Sequence, residues 1–431
     1  MVVILHERYY SKRIFRAACA FFLLFILQLK IAFSQSAWPS VNWEDAVNLT
    51  GIMDTNGLTE LSGLHWNPVM NRLYVAHGNG KLRVLQLNTT DSTFTQIAFS
   101  SNLESSEGIT QMDYLANEFF TIDEKNYKII KYSHNTDFSS VKEANYWSLL
   151  SWPSPMPDTG NDGPEGIAFV PDKFLKRAGF LSQETGEPYL SVKGSGGLIF
   201  IAHQDKGMIW VYDINPNVND DFVYVGKYHS NRLESCGLEF DRTSGLLYIL
   251  HNTGGNTLEI TDLSTIKLDG GEMKFVVKNE FILSNPAVGN KNIEGFAISP
   301  KCDNPDYVSA WLCRDVWKHE SAEAKKDCIR WFKSFTVEAD CITSFISEKK
   351  PENNLMDISP NPSSKQFLVS LYKPIENGLI RIINMTGQVF MEVGNLNGNS
   401  FIIDVSEQTS GLYILELHHE GSIFRTKLLK N

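Results

Sequence analysis

The sequence predicts an all-β protein: a five-bladed β-propeller closed by an N-terminal strand, followed by an immunoglobulin-like β-sandwich. Three observations carry this. A Gly preceded by a small or acidic residue and followed by a strand-like run recurs five times, as ELSGLHW (Glu60 to Trp66), ESSEGIT (Glu104 to Thr110), GPEGIAF (Gly163 to Phe169), ESCGLEF (Glu234 to Phe240) and NIEGFAI (Asn292 to Ile298). The repeated glycines, Gly63, Gly108, Gly166, Gly237 and Gly295, lie 45, 58, 71 and 58 residues apart, close to the length of one four-stranded blade with its loops. After Pro351 the chain turns polar and resumes as short alternating strands of another character, GLIRIINM, SFIIDV and GLYILELHH, which suit a small sandwich.

The first element is an export signal. Arg8, Lys12, Arg13 and Arg16 precede an apolar run from Ala17 to Leu29, and Ala32-Phe33-Ser34 puts small residues where a signal peptidase reads, so cleavage is expected before Gln35. The run is shorter than the roughly 20 apolar residues a membrane span needs, so no transmembrane segment is expected in the mature chain. With 42% hydrophobic and 21% charged residues, the 431-residue chain has enough apolar surface for a sizeable core. Removing residues 1–34 takes away five bases and one acid, moving the net charge from −11 to −15 and arguing against nucleic acid as a partner.

Each repeat then supplies its strands in order. The first starts at the Gly motif and the second ends on a polar residue: RLYVAH at His77, EFFTID at Asp123, LIFIAH at His203 and LLYILH at His251, with YVSAWLC closing on Cys313. A third follows (KLRVLQL, YKIIKYS, MIWVYDI, TLEITDL, CIRWFKSF), and a fourth precedes the next Gly motif in four repeats. The fifth repeat lacks its outer strand, and VNLTGIM, Val47 to Met53, lacks a blade; pairing the two closes the ring and removes a free edge. Two excursions interrupt the pattern, from Asp172 to Gly196 and at ESAEAKK, the latter expected as a short helix. The propeller is assigned to residues 41–345, a charged linker to 346–355 and the C-terminal domain to 356–431.

Export makes disulfides available. Cys302, Cys313, Cys328 and Cys341 crowd into the last repeat at spacings of 11, 15 and 13, without the short pair typical of structural zinc. A hairpin register predicts Cys313 with Cys328 and Cys302 with Cys341, leaving Cys236 a buried thiol.

The start of a first strand and the end of the second share one face of an antiparallel pair. Glu107, Glu165 and Glu294, each just before its Gly, are therefore expected to line the inner mouth as a cation site together with Asp123. His77, His203 and His251 would ring it one strand further out, or else hold their own turns by hydrogen bonds. Three converging carboxylates repel one another unless a cation or proton intervenes. Glu60, Glu104 and Glu234 read as loop residues.

Two resemblances add to this. The segment SPNPSS, the central IRIINMTGQVF, DVSEQTSGLYILEL and the basic end RTKLLKN closely resemble the type A C-terminal sorting domain of the type IX secretion system of Bacteroidota. That resemblance implies a second export step from the periplasm, the type IX machinery as partner, and a final location outside the cell or on its surface. The succession SG, EG, EG, CG, EG with GLEFDRTSGLLYIL is similar to the SdiA-regulated family of five-bladed propellers, related to NHL repeats. This similarity implies a calcium ion held near the central tunnel by acidic residues. A transition metal is the alternative, because histidines stand where that family places acids and imidazole suits softer ions.

Two function classes stay open: a metal-binding module for an unassigned extracellular ligand, or a metal-dependent phosphoesterase or esterase. NIEGFAISP resembles esterase-like phytase propellers, whereas no GxSxG or HExxH motif is present.

Overall fold

Runs of β-branched and aromatic residues, bounded by Gly, Asn and Asp, form strands almost throughout. A computed structural model of the chain describes residues 35–53, 58–253, 255–303, 308–336, 356–384, 388–419 and 422–430. Strands β1 (Ser36–Ala37) and β2 (Val47–Asn48) precede a series of antiparallel units. The first unit is β3 (Leu61–Asn67), β4 (Arg72–His77), β5 (Lys81–Asn88) and β6 (Thr93–Ser100). The second is β7 (Gly108–Thr110), β8 (Glu118–Asp123), β9 (Lys128–His134) and β10 (Val141–Ser148). The third is β11 (Pro164–Pro171), β12 (Gly197–His203), β13 (Met208–Ile214) and β14 (Phe222–His229), and the fourth β15 (Gly237–Asp241), β16 (Leu246–His251), β17 (Thr257–Lys267) and β18 (Met273–Ile282); a parallel pairing of β14 with β18 joins these two into one sheet, to whose β18 the short β1 also adds in parallel.

A fifth unit contains β19 (Ile293–Ile298), β20 (Ala310–Arg314) and β21 (Ile329–Phe332), and takes β2 as its fourth strand. Val47 pairs with Trp331 and Asn48 with Arg330, so a strand from near the start of the described chain covers the edge of the last unit. The pairing is shorter than the seven-residue segment expected, because Thr50 starts a 3-10 turn. Its Oγ1 instead accepts the N–H groups of Cys328 at 2.8 Å and Ile329 at 3.2 Å.

Innermost strands touch in a closed, barrel-like cycle: β3 meets β7, β7 meets β11, β11 meets β15, β15 meets β19, and β19 meets β3. Apolar side chains fill the wedge between each unit and the next. Where the fifth unit meets the first, Trp66 and Trp311 stack at 4.6 Å between ring centroids, with Trp331 at 6.3 Å from Trp311. These rings close the cycle by apolar burial.

The excursion after β11 forms helix α1 (Asp172–Ala178), whose Phe174 and Leu175 join the core between the third and fourth units. Asp213 on β13 fastens the rest of the excursion by accepting from Val192 N at 2.6 Å and Tyr189 Oη at 3.1 Å. The helix expected at ESAEAKK is a single 3-10 turn, Ala324–Lys326.

The disulfide expected between Cys313 and Cys328 does not form: both thiols are free and buried. The reason is register. The β20–β21 ladder pairs Ala310 with Phe332 through to Cys313 with Ile329, one residue away from the register that would oppose the two cysteines. A one-residue slip sends a side chain to the other face of the sheet. Cys328 carbonyl instead accepts Arg314 N at 3.0 Å. Cys236 is a free buried thiol, and the partner expected for Cys302, Cys341, lies outside the described residues.

In the C-terminal region, β22 (Met356–Ser359), β23 (Gln366–Asn384), β24 (Val389–Asp404), β25 (Gly411–His419) and β26 (Ser422–Lys430) form one antiparallel network. The 19-residue β23 pairs with β22 and β24 along its first half and with β24 and β25 along its second, around a core that includes Phe367, Ile380, Ile382 and Leu415. The expected division into two packed sheets is not evident, because β23 belongs to every pairing except β25 with β26.

Candidate metal centre

At each innermost strand, the residue before the repeated Gly and the Gly itself oppose a single residue of the second strand. Glu107 and Gly108 both face Ile122, and Cys236 and Gly237 both face Leu250. The register slips at Ser62, Glu165 and Glu294 in the other three units. Such a bulge leaves one residue out of the ladder and re-aims its side chain. Here the side chains turn to the axis of the cycle: Ser62, Glu107, Cys236 and Glu294 line a narrow central cavity together with the glycines. The glycines let the backbones close in, since a Cβ on Gly108 would stand 2.7 Å from the Glu165 carbonyl oxygen.

Glu107, Glu165 and Glu294 each bring one carboxylate oxygen within 4.8 Å of the others. Glu165 is 6% exposed and Glu294 9%. Burial, reinforced by the mutual repulsion of the acids, holds the carboxyls of Glu165 and Glu294 well above the usual range; burial also raises Glu107, against the opposing effect of Ser62 and Ser105. Two oxygens bound to one calcium ion are at most about 5 Å apart, given metal–oxygen distances of about 2.3–2.6 Å. The trio therefore has the span and the hard oxygen chemistry to hold such an ion, and a cation there relieves the repulsion.

Further acids surround the trio. Glu124 is pushed up to about 7 by burial and the nearby Glu107. Asp315 is pushed up to about 6 by burial and by Glu60. Asn292 donates to Glu294 Oε1 at 2.6 Å and accepts from Asn252 at 2.7 Å, tying that carboxylate to the connection before β19. Sequence reasoning left Glu60 as a loop residue and did not select Asp315. The signal available was position: Asp315 follows β20 just as Glu124 follows β8.

Deeper along the inner strands, His65 Nδ1 and Glu239 Oε2 meet at 3.2 Å across the cycle, both nearly inaccessible. Burial lowers the imidazole and raises the carboxyl, so it opposes the charged form of each. Close by, Arg242 stacks over Tyr114 at 4.1 Å and donates to the carbonyl of Met112 at 2.9 Å and to that of Gln111. Neither motif was singled out from sequence.

The remaining expected ligands are engaged elsewhere. Asp123 accepts from Asn126 N at 3.2 Å and Nδ2 at 2.7 Å, holding its own turn. His77 donates from Nδ1 to the Thr59 carbonyl at 3.0 Å and accepts from Arg83 at Nε2, 2.8 Å away; burial and that guanidinium lower it to about 3. His203 Nδ1 accepts Asp205 N–H at 3.1 Å, and its ring lies near Tyr127 and Trp210; burial lowers it to about 4. His251 Nδ1 bonds the Glu234 carbonyl, and its Nε2 faces Glu259 at 3.6 Å. Among the described residues, none of these four joins the glutamate cluster. Each finds a turn or sheet partner nearer than the axis.

Residues 357–431 match a family described as a secretion system C-terminal sorting domain. This is the sorting tail of type IX secretion, and it marks the chain for export to the cell surface or beyond and for contact with that machinery. No helix of the described residues is long and apolar enough to cross a membrane. No curated protein matches the sequence. Solved structures similar to the chain include one from a nidogen/laminin complex, at 14% identity over 65% of this chain and 87% of that one, with a TM-score of 0.32. Raptor from Chaetomium thermophilum matches at 11% identity over 92% of this chain and 29% of that one, also at 0.32. A protein from Lactobacillus plantarum matches at 14% identity over 63% and 74%, at 0.31.

Proposed function

We propose that this chain is an exported binding module: a five-bladed β-propeller, of the SdiA-regulated type its repeats resemble, with one divalent cation at its centre, carried outside the cell by its C-terminal sorting domain. The observation that carries the cation site is the convergence of three largely buried carboxylates, from Glu107, Glu165 and Glu294, within 4.8 Å. Buried like charges at that separation are costly unless neutralised. Calcium is the preferred ion because the donors are all oxygens and no imidazole is among them.

Hydrolysis is the second reading, and Glu124 favours it: burial raises this carboxyl beside the trio, the direction a general base working at neutral pH needs. Binding is preferred because the surrounding acids leave the mouth negative even with a divalent ion bound, which repels phosphate esters.

Elemental analysis of purified protein, with calcium titration by calorimetry, tests the centre. About one calcium per chain, lost in Glu165→Gln, is the expected result; metal-free protein with no calcium uptake rejects it. Turnover of aryl phosphates or aryl esters would replace the binding reading with the enzymatic one. Deleting residues 357–431 should leave a folded protein in the periplasm, and normal surface delivery of the truncated chain rejects the export route.

A further inference from the structure

In an antiparallel meander, the start of the first strand, the end of the second, the start of the third and the end of the fourth share one edge. The connections before β11 and β15, and the one between β20 and β21, therefore open on the same edge as Glu107, Glu165 and Glu294. Trp152 on the first is 91% exposed, Leu233 on the second 82% and Trp317 on the third 58%. Among the described residues, the only other comparably exposed large apolar side chain is Val192, at 74%, on the opposite edge. Single exposed apolar residues are ordinary. Three of the four most exposed on one edge, each from a different connection around the carboxylates, mark that edge as a contact surface.

Charge defines the occupant. Glu107, Glu124, Glu165, Glu294 and Asp315 belong to none of the ion pairs found among the described residues. A divalent ion held by the trio leaves Glu124 and Asp315 outside its ligand set. The Trp317 side chain interacts with the Asp315 carboxyl. Asp315 is 9% exposed as a residue, and its Oδ1 has no hydrogen-bond partner. An indole beside a carboxylate with one unbonded oxygen suits a lysine ammonium or arginine guanidinium, which donates a charge-assisted hydrogen bond to the carboxylate and lies against the ring face. A free metal ion makes no use of the indoles.

We propose that this edge docks a protein or peptide partner by a basic side chain seated against Trp317 and Asp315, with Trp152 and Leu233 offering apolar contact elsewhere on the same edge. The docking rests on the central cation site only in sharing its mouth.

The test is calorimetry on the whole mature chain in calcium at about physiological salt, where diffuse surface charge is screened. One probe is a short capped peptide of alternating lysine and leucine, and the other its glutamate counterpart. The lysine peptide is expected to bind and the glutamate peptide not. Trp317→Ala and Asp315→Asn should each weaken binding about tenfold or more, Trp317→Phe should keep most of it, and Val192→Ser should change nothing. Absence of binding overturns the proposal, as does equal loss in Val192→Ser, an unaffected Trp317→Ala, or displacement of the peptide by a neutral oligosaccharide such as laminarin. Calcium uptake without peptide binding sinks the docking alone, and peptide binding without calcium uptake sinks the cation centre alone.

Discussion

Gly166 and Gly237, 71 residues apart in the chain, meet backbone to backbone at the centre of the molecule: a Cβ on Gly166 would stand 2.7 Å from the Cα of Gly237. The obstacle is main chain on both sides, so no side chain can swing away. Gly166→Ala should therefore destabilise by about 1–3 kcal/mol through overpacking, and move Glu165 out of line with its partners. Chemical denaturation reads the first effect and calcium titration the second. A variant as stable as the parent would show that the inner strands can part without cost.

The seam between the fifth and first units depends on Trp311, which is 1% exposed and packs on both Trp66 and Trp331. Trp311→Ala leaves a cavity there and should cost about 3–5 kcal/mol. Because the seam joins the two ends of the cycle, protease cutting near β2 should rise in the same variant. A midpoint shift within the range of surface substitutions would argue that the seam is closed by something else.

Glu165→Gln should change sign with conditions. Without a cation, the substitution removes a buried, repelled carboxylate, so the variant melts above the parent in chelator. With calcium, the parent gains stability, on the order of 2.7 kcal/mol at a hundredfold excess over Kd, and the variant gains little. Thermal melts of both proteins with calcium and with chelator check this. Parallel behaviour in the two conditions would contradict a shared ion.

His77 and His203 make the fold sensitive to acid. Their folded values, about 3 and about 4, lie below the ordinary histidine value of 6.5, so the unfolded chain binds protons more readily between those limits. The stability they contribute is complete above about pH 6.5 and is lost as pH falls through the folded values. In His77→Gln, the amide oxygen can still accept from Arg83 without titrating. Melting temperatures at about pH 7 and about pH 5 should differ less in this variant than in the parent. An equal drop in both would place the acid sensitivity elsewhere.

Most strand positions and the convergence of Glu107, Glu165 and Glu294 were legible in the sequence. Each depends on a short local pattern, a residue plus Gly that forms a bulge, repeated where the chain turns inward. Even the pairing of the N-terminal segment with the last unit followed from counting strands. Histidine was harder: at the ends of β4, β12 and β16 the residue type suggested ligands, while the available partners, the Thr59 and Glu234 carbonyls and the Asp205 N–H, are set by loop paths that no periodicity encodes.

By itself, then, the sequence determined where most strands begin, that Glu107, Glu165 and Glu294 come to one mouth, and that residues 357–431 form a sorting tail. These are matters of local backbone preference and recurrent pattern. Tertiary structure alone decided the single-residue register that separates Cys313 from Cys328. It also decided the meeting of His65 with Glu239 and the gathering of Glu60, Glu124 and Asp315 around the trio. The reason is distance along the chain. Side chains from separate units are brought together only when the cycle closes, and their protonation is set by burial that exists only in the closed form.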